Sequence, residues 1–346
     1  MSLTHQLGIE FPILQAPMAG VQGGDLAVAV CEAGGLGALP CAMLSPEAMV
    51  DELQRIRAAT AKPLNVNFFC HVPPAPDEVR LQRWHQALAP YYAEYGLDID
   101  SIAAGAGRRP FDHKACDALA AFRPEVVSFH FGLPEPALVE RVKAWGAVVL
   151  SSATTVEEAC WLEAHGVDVV IAQGAEAGGH RGMFLSEDVT TQLGTFALLP
   201  QVVEAVSVPV VAAGGIADSR GVAAALALGA SAVQVGTAFL CCPEAMTSTL
   251  HRQALLSEAA RHTALTNLYT GRPARGILTR LMRELGPLSD VAPAFPLATS
   301  AIAPLRSAAE SAGSTDFSPL WAGQNASACR EIPAADVVRA LTAGLR

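Results

Sequence analysis

Short, nearly continuous apolar runs recur along this chain, beginning near Ile13, Leu36, Leu64, Val126, Val148, Val169, Val210 and Ala232. Most are separated by Ala/Leu/Glu-rich stretches of helical character. A strand with no alternating polar face is buried on both sides, which is the pattern of a parallel sheet covered by helices. Several helical stretches end in glycine just before the next run, at Gly34-Gly35, Gly146, Gly166 and Gly229. Glycine there suits a left-handed helix stop that turns the chain back into the sheet. Eight such units predict an α/β chain folded as a closed parallel (β/α)8 TIM barrel. The runner-up is an open doubly wound sheet. It wants a Gly-x-Gly-x-x-Gly turn after the first strand and an acidic residue about 20 positions on. The first run is instead followed by Ala16-Pro17-Met18-Ala19-Gly20.

Two intervals break the rhythm. Residues 70 to 124 open on Pro73-Pro74-Ala75-Pro76 and carry Trp84, Tyr91, Tyr92 and Tyr95, which predicts helices added over the barrel mouth or flank. After the eighth strand, residues 241–314 read as an inserted, mainly helical lid or substrate domain, because insertions at this end commonly cover an active site. The barrel then comprises 1–240 and 315–346, with Ala334 to Leu345 as a closing amphipathic helix. A length of 346 residues is ample for that core. The uncharged run Gly221 to Pro243 is long enough to cross a bilayer, but its glycines, Ser231, Gln234 and Thr237 divide it into a helix and a strand.

Charge narrows the partners. A net charge of -10 argues against nucleic acid or an anionic membrane. The start, Met1-Ser2-Leu3-Thr4-His5, shows no signal-peptide pattern, and eight scattered cysteines without Cys-x-x-Cys read as thiols in a reducing cytoplasm. No cluster has metal-ligand spacing.

The chemistry concentrates in Ala172-Gln173-Gly174-Ala175-Glu176-Ala177-Gly178-Gly179-His180-Arg181-Gly182. It follows the strand-like run Val167 to Ile171, and its glycines clear a surface on which backbone can approach a flat ligand. His180 is left as the group suited to proton transfer near neutral pH. Glycines also follow the seventh and eighth strands, in Gly214-Gly215-Ile216 and Gln234-Val235-Gly236-Thr237. Loops at those two positions often cradle a phosphate with backbone amides, and Thr237 adds a hydroxyl.

With Pro12–Gly20, Asn65-Val66-Asn67-Phe68-Phe69, Val127–Gly132, Gly271-Arg272-Pro273-Ala274-Arg275-Gly276 and Trp321-Ala322-Gly323-Gln324, these blocks run in order along nearly the whole chain. Together they resemble the class I nitronate monooxygenases, FMN enzymes also called 2-nitropropane dioxygenases. The resemblance implies oxidation of alkyl nitronates, or a carboxylated one such as propionate 3-nitronate, with dioxygen to a carbonyl compound and nitrite. Related NAD(P)H-dependent FMN barrels that reduce quinones or enoyl thioesters share the site and are the enzymatic alternative. A catalytically inactive flavin-binding or scaffolding barrel is the non-enzymatic one.

Carried over by motif, the resemblance places FMN across the C-terminal mouth. Asn67 and Gln173 would meet the isoalloxazine edge, Gly178 would lie near it, and Met18 and Gly20 would line it. Gly215, Gly236 and Thr237 would hold the phosphate, with Gln234 and Val235 leading into that clamp. His180 would face the nitro group of the substrate and remove the α-proton where a neutral nitroalkane is accepted. His130 either lines the pocket or is a hydrogen-bonded structural residue. Arg181 is a solvent-facing or cap residue as readily as a site residue, and Glu176 orients the loop by accepting backbone N–H bonds. Arg272 and Arg275 either attract an anion or ion-pair within the lid. One departure is visible: many members carry lysine before Pro-Leu-Arg, where this chain has Ala303 in Ala303-Pro304-Leu305-Arg306.

Overall fold

The computed structural model describes residues 2–75, 77–102 and 108–345. In chain order the strands are β1 (Ile13–Gln15), β2 (Gly37–Pro40), β3 (Leu64–Phe69), β4 (Val126–His130), β5 (Val148–Ala153), β6 (Val169–Gln173), β7 (Gly179–His180), β8 (Val210–Ala213), β9 (Ala232–Val235), β10 (Thr263–Thr266) and β11 (Ala274–Ile277). Eight of them form one parallel sheet in the order β1-β9-β8-β6-β5-β4-β3-β2. The bridge between Leu14 and Leu36 brings the two edges together, so the sheet closes as the apolar runs predict. The glycines ahead of β2, β5, β6 and β9 take the expected left-handed conformation, with φ of +89° at Gly34, +92° at Gly146, +87° at Gly166 and +98° at Gly229.

Strand alternation divides the side chains between two environments. Val66, Phe68, Val127, Phe129, Val170, Val233 and Val235 face outward into the main core, against helix residues such as Val30, Leu53, Leu119, Leu162 and Val202. The alternate positions fill the barrel. Low in its interior, Leu14, Leu36, Val126, Leu150 and Val211 pack with Leu3 and Leu7 of the N-terminal helix. Higher up, toward the strand C-termini, the same faces carry Asn67, Ser128, Ser152, Gln173 and Gln234, and these line an open cavity. One end is therefore plugged by leucine and the other left polar and concave.

The two interruptions meet over that polar end. Trp84, Leu88, Tyr91 and Tyr92, from the helix Glu78–Glu94, pack with Leu268, Tyr269, Leu281, Met282 and Phe317. Ile302 and Leu305 of the helix Ala298–Ser311 join the same cluster. Tyr92 Oη donates to the Ala301 carbonyl at 2.7 Å, and Arg280 pairs with Glu94 at 2.7 Å. The uncharged run resolves into the helix Ser219–Ala227 and β9, and among the described residues no helix is long and apolar enough to cross a membrane. The terminal helix Ala334–Thr342 buries Val337, Val338 and Leu341.

Candidate active site

The cavity at the polar end opens to solvent and holds about 1320 Å³ of empty space with its mouth included. Met18, Asn67, Gln173, Gly178, Gly215, Gln234, Gly236 and Thr237 line it, and so do His130 and His180. Gly20 and Val235 do not belong to this lining. Gly20 serves the turn after β1 with a φ of +85°, and Val235 is turned into the outer core by strand alternation, opposite in sense to Gln234.

His180 is placed by a small second sheet. β7 pairs antiparallel with β11, Ala274 opposite His180 and Arg275 opposite Gly179, and β11 pairs with β10. The segment after β9 thus grips the histidine loop directly. From the barrel side, Gln173 Nε2 donates to the His180 carbonyl at 3.0 Å while its Oε1 accepts from Gly182 N at 2.7 Å. His130 Nε2 also meets that carbonyl, at 3.1 Å, and its Nδ1 meets Ser152 Oγ at 3.1 Å. A carbonyl only accepts, so Nε2 carries the His130 proton. Burial lowers the His130 pKa to about 4, which keeps this ring a neutral positioning group facing the cavity.

The His180 imidazole itself lies among aromatic rings, with centroids 5.4 Å from Phe295, 5.6 Å from Trp321 and 6.0 Å from Phe69. Its Nε2 meets Thr270 Oγ1 at 2.9 Å, and that hydroxyl donates to the Arg272 carbonyl at 3.4 Å. The hydroxyl has one proton, so it accepts from Nε2–H and leaves Nδ1 as the unprotonated nitrogen. Burial, then the nearby Arg108, His130, Arg272 and His71, hold the His180 pKa well below its ordinary value. The ring is neutral at pH 7. A neutral ring in a positively biased, water-poor cage tolerates a substrate anion far better than its own protonation.

The other loop residues have structural partners. Glu176 accepts from Thr195 N at 2.7 Å and Thr195 Oγ1 at 2.8 Å, the orienting role its position suggests. Arg181 is neither solvent-facing nor a cap. It is fully buried and donates to Gln192 Oε1 at 2.8 Å, the Gly174 carbonyl at 2.8 Å and the Gln173 carbonyl at 2.7 Å. Arg275 donates to the Ala175 carbonyl at 2.8 Å, and Arg272 donates to the Met183 carbonyl with its guanidinium 4.1 Å from the Phe131 ring centre. Neither arginine lines the cavity, and neither forms an ion pair among the described residues. Gly178 is bare for a different reason than ligand approach: a Cβ there would stand 2.5 Å from Gly323 N and 2.6 Å from the Ala322 carbonyl carbon.

In the same cavity, Gly215 with a φ of +73° and Gly236 present bare backbone. Thr237 Oγ1 accepts from Gly323 N at 2.9 Å, and Asn325 Nδ2 donates to the Gly215 carbonyl at 3.0 Å. Residues 321–325 therefore tie the two glycine loops into one wall. Gln234 Oε1 is buried against the cavity without a protein donor, an acceptor that a ligand N–H would satisfy. Sequence reasoning did not single out Arg108, Phe295 or Met43, and Phe69 entered only within a matched block. Trp321 came only as part of a matched block. Phe295 and Arg108 sit in the irregular insertions, where no periodicity signals a direction.

The model of the nitronate monooxygenase family matches residues 1–344. A nitronate monooxygenase of Pseudomonas aeruginosa is 44% identical, covering 99% of this chain and 98% of its own, and one of Paraburkholderia phytofirmans is 43% identical over 100% and 95%. Among solved structures, a nitroalkane oxidase of Streptomyces ansochromogenes superimposes with a TM-score of 0.90 at 42% identity, covering 100% of this chain and 98% of that one. FabK of Thermotoga maritima follows at 0.72 and 27%, covering 99% and 95%. A family match over nearly every residue, relatives this similar from end to end and a fold that superimposes over the whole chain agree: the chain belongs to the nitronate monooxygenase family.

Proposed function

We propose that this protein oxidises nitronates with dioxygen to a carbonyl compound and nitrite, using FMN held across the barrel mouth. The observation that carries the reading is the pairing of one neutral, caged imidazole with a two-loop glycine wall at the same cavity. The residues present fit a flavin. Gly215, Gly236 and Thr237 supply backbone and hydroxyl donors for a phosphate, while Asn67, Gln173 and the orphaned Gln234 Oε1 offer the mixed donor and acceptor set that a flavin edge requires. When bound, FMN supplies the electron acceptor for nitronate oxidation and the centre at which dioxygen is used.

The protein's share is placement and electrostatics. His180, clamped from both sides through its carbonyl, presents a fixed imidazole toward the substrate nitro group. Phe69, Phe295 and Trp321 exclude water around it, which strengthens each polar contact made inside. A depressed pKa makes His180 a weak base, so a preformed nitronate needs less of it than a neutral nitroalkane, whose α-proton must still be removed. Wild-type kcat/KM is expected to be higher for the nitronate of a given nitroalkane than for the nitroalkane itself. Its pH profile with nitronate should show no acid limb near pH 6.5, because the folded-state pKa lies below that of a free imidazole.

The deciding experiment is an anaerobic spectrum of the purified protein. The expected result is a yellow protein that releases FMN on denaturation and whose visible band bleaches with ethylnitronate. Rapid bleaching with NADH and none with nitronate would instead support the alternative, an NAD(P)H-dependent FMN reductase. A colourless protein that FMN cannot reconstitute would favour a scaffolding role.

A further inference from the structure

Arg108 differs from every other arginine near the site. The guanidiniums of Arg181, Arg272 and Arg275 are turned onto backbone carbonyls, whereas Arg108 faces the cavity and is the one Arg or Lys among its described lining residues. It is largely buried, and burial lowers its pKa. Among the described residues, its Nη1 donates to the neutral hydroxyl of Thr299 at 3.0 Å, and its guanidinium carbon lies 5.6 Å from the Phe295 ring centre. Among the described residues no carboxylate ion-pairs with it. A desolvated cation without a counter-charge is costly unless an anion reaches it.

Its position says which anion. Asn67, Gln173 and His180 reach the cavity from barrel strands and from the segment after β6. Arg108 and Thr299 belong to the two insertions, and the Phe295 ring centre lies 5.4 Å from the His180 ring and 5.6 Å from the Arg108 guanidinium carbon. Thr299 and Ala303 are one turn apart on the helix Ala298–Ser311, so they share a face. The guanidinium thus reaches the helix that carries Ala303, an exposed residue that offers no charge.

Resting on the nitronate reading above, we infer that Arg108 is a specificity-determining residue: it holds a carboxylate at the end of the substrate remote from the nitro group. The reacting end lies beside His180, and the carboxylate is drawn to Arg108 on the insertion. A guanidinium suits this task because its planar fork can meet both carboxylate oxygens, and the Phe295 ring and Thr299 hydroxyl hold that fork in place.

The test compares wild type, Arg108→Met and Arg108→Lys, each loaded with FMN. The activity arm measures kcat/KM for propionate 3-nitronate and for ethylnitronate, which lacks the carboxylate. In Arg108→Met the ratio between the two substrates should fall about 10- to 100-fold, with partial recovery in Arg108→Lys. A ratio unchanged from wild type would overturn the assignment, even if both rates dropped. The binding arm uses 3-nitropropionate, a carboxylate with a neutral nitro group, titrated calorimetrically. Its Kd should rise about 10-fold or more in Arg108→Met, and an unchanged Kd would also overturn the assignment. If wild type oxidised neither nitronate, the proposed activity would fail, while the binding arm would still decide the role of Arg108.

Discussion

His180→Asn is expected to remove most activity toward neutral nitroalkanes, by about 100- to 10,000-fold, the range of a lost general base. The smaller loss should be seen with preformed nitronates, whose α-proton is already gone. Asparagine can still offer an N–H to a nitro oxygen but cannot accept a proton usefully. The backbone of residue 180 is held through its carbonyl by Gln173 and His130 and by the pairing of β7 with β11, none of which needs the imidazole. The variant should therefore keep FMN and melt close to wild type. Activity on both substrates with FMN retained, together with its ratio, is the measurement. Equal modest losses would make His180 a nitro-binding group only, and unchanged rates on both substrates would remove it from the chemistry.

What the chain reveals before folding follows from burial. Strands covered on both faces must be apolar throughout, so the start of every barrel strand is legible to within a residue or two. The polar residues that interrupt those runs near their C-terminal ends, Asn67, Gln173 and Gln234, mark the cavity for the same reason. A matched block identifies a loop but not a face, which is why Val235 travels with Gln234 in sequence and away from it in space. The pairing of β7 with β11 is invisible because two residues carry no periodicity. The arginines mislead most: the residue type belongs at the surface by habit, yet a glycine-rich loop exposes carbonyls that need donors. Arg181, Arg272 and Arg275 are consumed by that need. Arg108 stands in an insertion where nothing in the pattern says which way a side chain turns.

Arg181→Met is expected to be the most damaging single change outside the chemistry. The guanidinium stays charged at neutral pH, since burial lowers its pKa only to about 10, and it is completely enclosed. Its three donors close the loop that begins at Gln173, through the Gln173 and Gly174 carbonyls and Gln192 Oε1. Methionine fills much of the volume and satisfies none of these acceptors. The Gly174 carbonyl keeps the Ala177 N–H at 3.0 Å, but the Gln173 carbonyl loses its guanidinium donor. Three hydrogen bonds from a charged group vanish, each contributing about 1.5–3 kcal/mol, so a loss of about 2–5 kcal/mol is expected. Gln173 and His180 flank that loop, and Glu176 within it anchors both Thr195 and, through its carbonyl, Gln324 N at 2.9 Å. Loosening the loop should therefore disturb the wall made by residues 321–325 and the glycine loops, and FMN content should fall along with the melting temperature. Excess FMN should raise the melting temperature of the variant, because a ligand that binds only the folded state shifts the equilibrium toward it. A variant that melts like wild type and retains stoichiometric FMN would show that the loop holds its shape without this arginine.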